Sequence, residues 1–189
     1  MTSILITSNA VVADTKVTIT RGDKIVNYHG GFKKSVICEG NVFAFTGDGN
    51  YWEKYFDFLN GDRIFPPVIC RGDSNLSISV QGKTRIYDIN VINLWYSKPK
   101  LYTLNDGWIM IGSGSAYIDP IIEHFHGDAT VHVQQIYELL SAVDTYTNSE
   151  IRCLSPSTDK FVSIRSIIKR NLKRLLFSKV TSLCYFAMR

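Results

Sequence analysis

The first seventeen residues restrict the possible folds more than any other part of the chain. Two runs of β-forming residues, 3–7 and 10–17, are separated only by Ser8 and Asn9. Two strands joined by two polar residues are typical of a tight hairpin, so the chain is expected to begin inside an antiparallel sheet. The hairpin would bring Asp14, near the end of the second run, back toward the start of the chain.

Thr2 is a candidate nucleophile. A Met followed by a small Thr is a good substrate for removal of Met1, which would leave Thr2 with a free α-amino group beside its own hydroxyl. An amine that titrates near neutrality can accept the hydroxyl proton, directly or through a water molecule. A single residue would then hold both the nucleophile and its base. Many proteins begin Met-Thr and then enter a strand, so this stretch alone establishes no activity.

Composition indicates one globular domain. The chain has 189 residues, of which 45% are hydrophobic and 20% charged, which is enough for a substantial core. The start has no basic segment and its apolar run is broken by polar residues, so we expect neither a signal peptide nor a membrane span, and a cytoplasmic location. The four cysteines are widely scattered, and no His lies at zinc-ligand spacing. We therefore expect no disulfide framework, no metal and no cofactor.

Charge is distributed unevenly along the chain. Residues 160–189 carry eight Lys or Arg and no Asp or Glu, whereas the rest carries 13 basic and 17 acidic residues. Apolar and basic residues are interleaved after residue 165, as in a basic amphipathic helix. We therefore divide the chain into a domain at 1–165 and a basic helix or tail at 166–189. The tail could dock on the domain, or it could bind an acidic partner, nucleic acid or an anionic surface.

The remaining segments indicate an α+β domain. Strand signals lie at 24–29, 32–38, 41–46, 76–80, 84–89 and 108–111, and a last hairpin is expected from 150–154 and 161–164. Helix signals lie at 50–60, at 116–126 and after a capping Thr130, where Val133, Ile136, Leu140 and Val143 share a face. Segments 62–75 and 90–105 show no regular period. Segregated runs of strands and helices favour a layered α+β domain over a parallel sheet.

Four pieces of the sequence carry candidate chemistry. They are Thr2 with the run Val11-Val12-Ala13-Asp14-Thr15-Lys16, then Lys33-Lys34 followed by Phe43-Ala44-Phe45-Thr46-Gly47, then 109–117 around Gly112-Ser113-Gly114, and finally Asp144-Thr145-Tyr146-Thr147-Asn148. In this order they resemble the proteasome β-subunit family, and most closely its HslV members, which are N-terminal-nucleophile (Ntn) threonine hydrolases. The resemblance implies a four-layer αββα sandwich of two antiparallel sheets flanked by helices. The second helix of the family is missing here, and the segment 62–75 takes its place.

The resemblance also implies catalytic roles. Thr2 would be the nucleophile, and Lys33 would be a fixed positive charge that keeps the terminal amine neutral. Asp14 would keep that lysine charged and oriented. Lys34 is a rival for the lysine role, because strand alternation places it on the apolar face of its strand. The spacing within the family pattern favours Lys33.

Four further residues match the polar surroundings of such a nucleophile. The backbone N–H of Gly47 would bind the oxyanion, at a position where a side chain would obstruct the scissile carbonyl. Ser113, Asp144 and Thr147 would surround the terminal amine and set its geometry. Taken singly, Gly47 could simply permit a turn and Ser113 could cap a helix, so the hypothesis depends on the whole set.

The implied function is a threonine-type endopeptidase that cleaves a polypeptide substrate through an acyl-enzyme. The alternative is a non-catalytic protein of the same fold that binds or regulates a partner protein. The resemblance further implies a closed homo-oligomeric ring, which an ATPase unfoldase could supply with substrate. A chain without the second helix has little to cover the aromatics of 50–60, so we expect Trp52 and Phe56 to be partly buried between subunits.

Overall fold

A computed structural model describes residues 2–21, 24–28, 32–47, 49–67, 74–88, 98–105, 107–127 and 129–187 of the chain. The strands in chain order are β1 (Ser3–Thr7), β2 (Val11–Asp14), β3 (Val17–Arg21), β4 (Lys24–Tyr28), β5 (Ser35–Cys38), β6 (Asn41–Thr46), β7 (Asn75–Val80), β8 (Lys83–Asp88), β9 (Lys100–Thr103), β10 (Trp108–Gly112) and β11 (Ile151–Leu154). The helices are α1 (Gly49–Asn60), α2 (Ile118–His124), α3 (Val133–Val143) and α4 (Ile164–Ala187), with a 3-10 turn at Ser113–Ala116 before α2.

Two antiparallel sheets form the centre of the molecule. The first has the strand order β10-β1-β2-β11, and the second has the order β5-β6-β7-β8-β9. The predicted N-terminal hairpin is confirmed, since β1 pairs with β2 across a two-residue turn at 8–9. Because β1 also pairs with β10, the first strand of the chain is held on both sides, and Ser3 lies opposite Gly112.

Alternation along the strands sorts side chains into three packed clusters, which define four layers. On one face of the first sheet, Leu5 and Val12 pack against α2 and α3. On the opposite face, Ile4 and Ile6 pack against Val42 and Ala44 of the second sheet. The outer face of the second sheet carries α1 and the start of α4. This helix–sheet–sheet–helix arrangement is the predicted αββα sandwich.

The start of α4 takes part in the core and binds the end of α1. Ile167 and Ile168 are buried in the cluster that also contains the aromatic side chains of α1. Asn171 Nδ2 donates to the carbonyl oxygens of Phe58 and Arg63, both at 2.8 Å, and Arg170 Nη2 donates to that of Leu59 at 2.6 Å. Carbonyls at a helix C-terminus lack partners inside the helix and carry partial negative charge, so an amide and a cation stabilise them.

The cover that α4 gives to α1 overturns the expectation for Trp52. Its side chain is only 5% exposed and packs inside the chain's own aromatic cluster, against Phe56. Phe56 is partly buried in the same cluster. The aromatic face of α1 therefore needs no second subunit to cover it. Of the 62–75 segment, the structure describes 62–67, which contains no helix, and 74–75, where β7 begins.

Several predicted elements differ from those observed. Residues 161–163 form no strand, because Phe161 and Val162 pack against the α1–α4 cluster just before α4 begins. Thr130 does not cap α3, whose N-cap is His132, and the predicted stripe ends early because Val143 is exposed. The irregular 90–105 segment contains β9, which pairs with β8; its residues 90–97 lie outside the described residues.

The predicted boundary at residue 166 remains a prediction. The helix that includes it begins at Ile164, and its first two turns pack on the domain. No helix among the described residues is both long enough and apolar enough to cross a membrane.

Candidate active site

Thr2 directly precedes β1 and lies on the wall of a cavity of about 360 Å³. The end of β6, the start of β7 and the end of β10 with the following 3-10 turn supply the other walls. The lining residues are Thr2, Thr46, Gly47, Asn75, Met110, Ile111, Gly112, Ser113 and Ser115. The structure thus brings three of the predicted site residues, Thr2, Gly47 and Ser113, to one cavity.

Gly112 fixes the position of the Thr2 backbone. A Cβ atom built on Gly112 would lie 1.6 Å from the carbonyl oxygen of Thr2, and the φ of Gly112 is 96°. Any other residue would therefore both collide and adopt a strained backbone conformation. The next residue, Ser113, donates its backbone N–H to that same carbonyl at 3.0 Å. The Gly-Ser pair thus lets β10 approach the start of the chain and bind it.

Asp14 and Lys34 form a buried ion pair beside the start of β1. Lys34 Nζ lies 2.8 Å from Asp14 Oδ2, and the two side chains are 1% and 0% exposed. The other carboxylate oxygen, Oδ1, accepts the backbone N–H of Ser3 at 2.9 Å. A single carboxylate therefore connects the buried ammonium to the residue that follows Thr2.

The structure corrects the choice of lysine. Lys33 is exposed, and the partner of Asp14 is Lys34. The backbone N–H of Phe45 donates to the carbonyl of Lys34 at 3.0 Å, so pairing with β6 continues one residue before β5. Successive side chains of an extended strand point to opposite faces, and Lys34 is the one turned inward. The alternation argument was right, and the spacing argument was wrong.

Burial disfavours the charged forms of both Asp14 and Lys34. Burial raises the pKa of the Asp14 carboxyl, while the charge and hydrogen bond of Lys34 lower it. Burial likewise lowers the pKa of the Lys34 ammonium, and Asp14 raises it. On balance burial prevails, so the pKa of Asp14 is raised and that of Lys34 is lowered, while each group opposes the shift of the other.

A second polar cluster surrounds Ser3 and contains three predicted site residues. Asp144 Oδ2 accepts the hydroxyls of Ser113 at 2.7 Å and Thr147 at 2.6 Å, and that of Ser3 at 3.4 Å. Ser3 Oγ also lies 2.6 Å from Thr147 Oγ1 and accepts the backbone N–H of Gly114 at 2.8 Å. The end of α3 and the turn after β10 thus meet at the first residues of β1.

Asp144 is held as a carboxylate by neutral donors. Burial alone would raise its pKa, but the hydroxyls of Thr147 and Ser113 and the backbone N–H of Tyr146 bring the pKa below its usual value. Hydrogen bonds to the ionised form stabilise that form. The site therefore contains one carboxylate paired with an ammonium and one supported by hydroxyls.

Gly47 ends β6 at the cavity wall. Its φ is 95°, a conformation that favours glycine. Gly47 lines the same cavity as Thr2. The position fits an oxyanion donor, which remains a prediction.

Sequence analysis missed three residues of this region. Lys16 is buried, donates through Nζ to the carbonyl of Thr145, and donates its backbone N–H to Asp14 Oδ2 at 3.2 Å. Tyr137 contacts the backbone of β1 and β2 from α3. Ser3 joins the two polar clusters. A sequence signal existed for Lys16 and Ser3, which lie two residues and one residue from predicted site residues.

Among the described residues, no group of three or more His, Cys, Asp or Glu is arranged to hold a metal ion. The polar groups at the cavity are hydroxyls, an amide and backbone atoms, with the two carboxylates beside them. This set suits proton transfer and the binding of a polar backbone.

Comparison with solved structures identifies the fold. The chain matches a structure of Thiobacillus denitrificans BPH with a TM-score of 0.55 and 13% identity over 84% of this chain and 99% of that chain. It matches Anbu, the ancestral beta-subunit of Yersinia bercovieri, with a TM-score of 0.53 and 13% identity over 95% and 97%. It matches eukaryotic HslV from Trypanosoma brucei with a TM-score of 0.52 and 15% identity over 81% and 98%.

No family sequence model and no curated protein sequence matches the chain. The structural matches nevertheless cover most of both chains, so the molecule has the fold of HslV and Anbu. The resemblance that four short sequence pieces indicated is confirmed at the level of fold. At identities of 13–15%, the similarity to these structures shows the fold and does not show the activity.

Proposed function

We propose that the chain is a threonine-type peptidase that cleaves peptide bonds with Thr2 after Met1 has been removed. The observation that carries the proposal is the convergence of two polar clusters on the first residues of β1. Asp14 with Lys34 binds Ser3 from one side, and Asp144 with Ser113 and Thr147 binds it from the other. Burial of so many polar groups is costly, and their position at a chain terminus that lines a cavity supports a catalytic role.

The reaction would proceed through an acyl-enzyme. Thr2 Oγ1 attacks the scissile carbonyl, and its proton passes to the terminal amine, directly or through water. The N–H of Gly47 donates to the oxyanion of the tetrahedral intermediate. The intermediate collapses as the C–N bond breaks, and the leaving amine takes the proton. Water then adds to the ester, and the second intermediate releases the acid and restores the Thr2 hydroxyl.

The ammonium of Lys34 supplies the fixed positive charge in this mechanism. A fixed positive charge near the terminal amine lowers the pKa of that amine, because a like charge disfavours protonation. It also stabilises negative charge that develops on the attacking oxygen. Burial lowers the pKa of Lys34, and the charge and hydrogen bond of Asp14 oppose that lowering. This role, assigned to Lys33 from sequence, is now proposed for Lys34.

The test is covalent labelling. Wild-type protein is incubated with a peptide epoxyketone, which reacts with both the hydroxyl and the amine of an N-terminal threonine, and the adduct is located by mass spectrometry. We expect loss of Met1 and one adduct on Thr2. Thr2→Ala should give none, whereas the control Thr7→Ala, at the other end of β1, should be labelled. Intact Met1 and no adduct in the wild type would contradict the proposal.

The alternative is a non-catalytic protein of the same fold that binds or regulates a partner. It is favoured by the exposure of Thr2, which is only 6%. It differs from the peptidase in one outcome: the biological activity would survive in Thr2→Ala. Loss of that activity in a folded Thr2→Ala protein would exclude the alternative.

We further propose that the chain works as a homo-oligomer on polypeptide substrates. The relative from Yersinia is named a beta-subunit, and a chamber formed by several copies would confine the nucleophile. An ATPase unfoldase partner and a cytoplasmic location belong to the same proposal. Light scattering of the wild-type protein at micromolar concentration tests the assembly, and a monomer would contradict it.

A further inference from the structure

Tyr137 is a fully buried tyrosine of α3 whose hydroxyl reaches the backbone of the first sheet. Its Oη accepts the backbone N–H of Leu5 at 3.2 Å. The same oxygen lies 2.8 Å from the carbonyl of Val12 and 3.1 Å from the carbonyl of Ser3. A hydroxyl has one proton, so it donates to one of these carbonyls at a time while it accepts from Leu5. None of these atoms lies on the cavity that Thr2 lines.

The register shows where this hydroxyl sits. Leu5 lies opposite Val12 in the β1–β2 pair. A hydroxyl bonded to Leu5 N and to Val12 O therefore bridges the backbones of the two strands. A helix side chain thus joins both strands, three residues after Thr2.

Between the Leu5–Val12 pair and Thr2, a side chain of β2 makes the hydrogen bond that joins the two strands. The backbone N–H of Ser3 donates to Asp14 Oδ1 at 2.9 Å. Asp14 can make this bond and still bind Lys34 through its other oxygen. The distance between the strands at this end therefore determines where Ser3, and with it Thr2, lies relative to the buried ammonium. The hydroxyl of Tyr137 contacts the backbone of both strands next to this point.

We propose that Tyr137 is a positioning residue, whose hydroxyl sets the spacing of β1 and β2 so that Thr2 stands correctly relative to Lys34. The proposal rests on the proposed function. Burial and the nearby charge of Asp14 hold the pKa of the Tyr137 phenol well above its usual value, so the group stays a donor at neutral pH.

The chain offers a matched control in Tyr55. This tyrosine is also fully buried, but its hydroxyl has no hydrogen-bond partner among the described residues, and it lies in the α1 cluster away from Thr2. Tyr55→Phe and Tyr137→Phe each remove a single buried oxygen. The first leaves no backbone group without a partner, whereas the second exposes Leu5 N and two carbonyls to an apolar ring. Only the second should affect the nucleophile.

The experiment measures epoxyketone labelling of Thr2 against probe concentration and pH. In Tyr137→Phe we expect the maximal labelling rate to fall at least tenfold with little change in half-saturating concentration, and the pH midpoint of the rate to shift as the amine leaves its position near Lys34. Tyr55→Phe should behave as the wild type. Equal maximal rates and pH midpoints in all three proteins would overturn the proposal.

A second readout separates failure of this inference from failure of the proposed function. Hydrogen exchange of the amides in residues 3–6 is measured in the same three proteins at a pH where all are folded. Selective acceleration at Leu5 in Tyr137→Phe supports the anchoring of β1, even if the wild type is never labelled and the peptidase proposal falls. If Tyr137→Phe does not fold, hydrogen exchange at Leu5 is measured in the wild type instead. An amide that donates to Tyr137 must be protected from exchange. An unprotected Leu5 amide would overturn the proposal.

Discussion

Two ion pairs of similar geometry occupy opposite environments in this molecule. Lys34 lies 2.8 Å from Asp14, with both side chains almost fully buried. Arg170 lies 3.1 Å from Glu39, with side chains 37% and 39% exposed. The first pair supports the residues next to Thr2, and the second ties α4 to the turn after β5.

The two ion pairs differ in how much hydration their charged groups have lost on folding. An exposed pair gains little, because solvent screens the attraction and two long side chains lose freedom. A buried pair has lost the hydration of both charges, so either charge alone is strongly destabilising. The Asp14–Lys34 pair is therefore weak evidence of stabilisation, since an apolar pair of similar volume often fills such a space without loss of stability.

The largest expected effect is that of breaking the buried pair. Lys34→Met should destabilise the fold by about 3–5 kcal/mol, because Asp14 is left as an uncompensated buried carboxylate. It should also abolish labelling of Thr2. Urea unfolding measures the first effect and mass spectrometry the second. The control Lys33→Met changes an exposed neighbour and should stay within about 0.5 kcal/mol of the wild type; the reverse ranking would show that the assignment of Lys34 is wrong.

Asp144 sharpens the comparison, because its carboxylate is supported by hydroxyls instead of a cation. Its pKa is lowered in the fold, so its contribution is fully present above the unfolded value of about 3.9 and is lost as pH falls through the lower folded value. Asp144→Asn should cost about 1–3 kcal/mol at pH 7. The difference in free energy of unfolding between Asp144→Asn and the wild type should vanish as the pH falls below about 4. Urea midpoints at a series of pH values measure it, and a gap independent of pH would contradict this account.

Removing both buried charges together separates stability from activity. Asp14→Asn with Lys34→Met removes both charges, and the amide oxygen of the new side chain can still accept the backbone N–H of Ser3. We expect the double variant to unfold within about 2 kcal/mol of the wild type and to remain unlabelled by the epoxyketone. A double variant more than about 2 kcal/mol less stable than the wild type would show that the pair contributes net stability.

The exposed pair should give the smallest effect. Glu39→Gln removes the charge that Arg170 meets, and Arg170 keeps its bond to the carbonyl of Leu59. The expected loss is about 0.2–1 kcal/mol and should shrink further in high salt. Urea unfolding at low and high ionic strength measures it. A loss as large as that of Lys34→Met would mean that exposure does not decide the strength of these pairs.

Local patterns were enough to predict part of the fold. The 8–9 turn between two β-rich runs predicted the first hairpin, and the helix at 50–60 corresponds to α1 within one residue. These features depend on residues close in sequence. The strand expected at 161–164 failed because its apolar residues serve the packing of α4, which a local pattern does not contain.

The candidate site shows the same limit. Asp14, Ser113, Asp144 and Thr147 were chosen from short motifs. The structure brings Asp14, Asp144 and Thr147 to Ser3, and it brings Ser113 to Asp144 and to the carbonyl of Thr2. Lys34 was underrated because a one-residue shift reverses the face of a strand side chain. Tyr137 carried no local signal, since its importance arises from contacts with Leu5 and Val12, which are 132 and 125 residues away in the chain.

The docking of α4 makes this helix necessary for completing the outer layer that α1 begins much earlier in the chain. Its Ile167 fills the α1 cluster, and Asn171 and Arg170 bind the final carbonyls of α1. While α1 has left the ribosome and α4 has not, the aromatic residues of α1 lack the cover that α4 provides. Completion of the outer layer of the second sheet is therefore delayed until α4 has been synthesised.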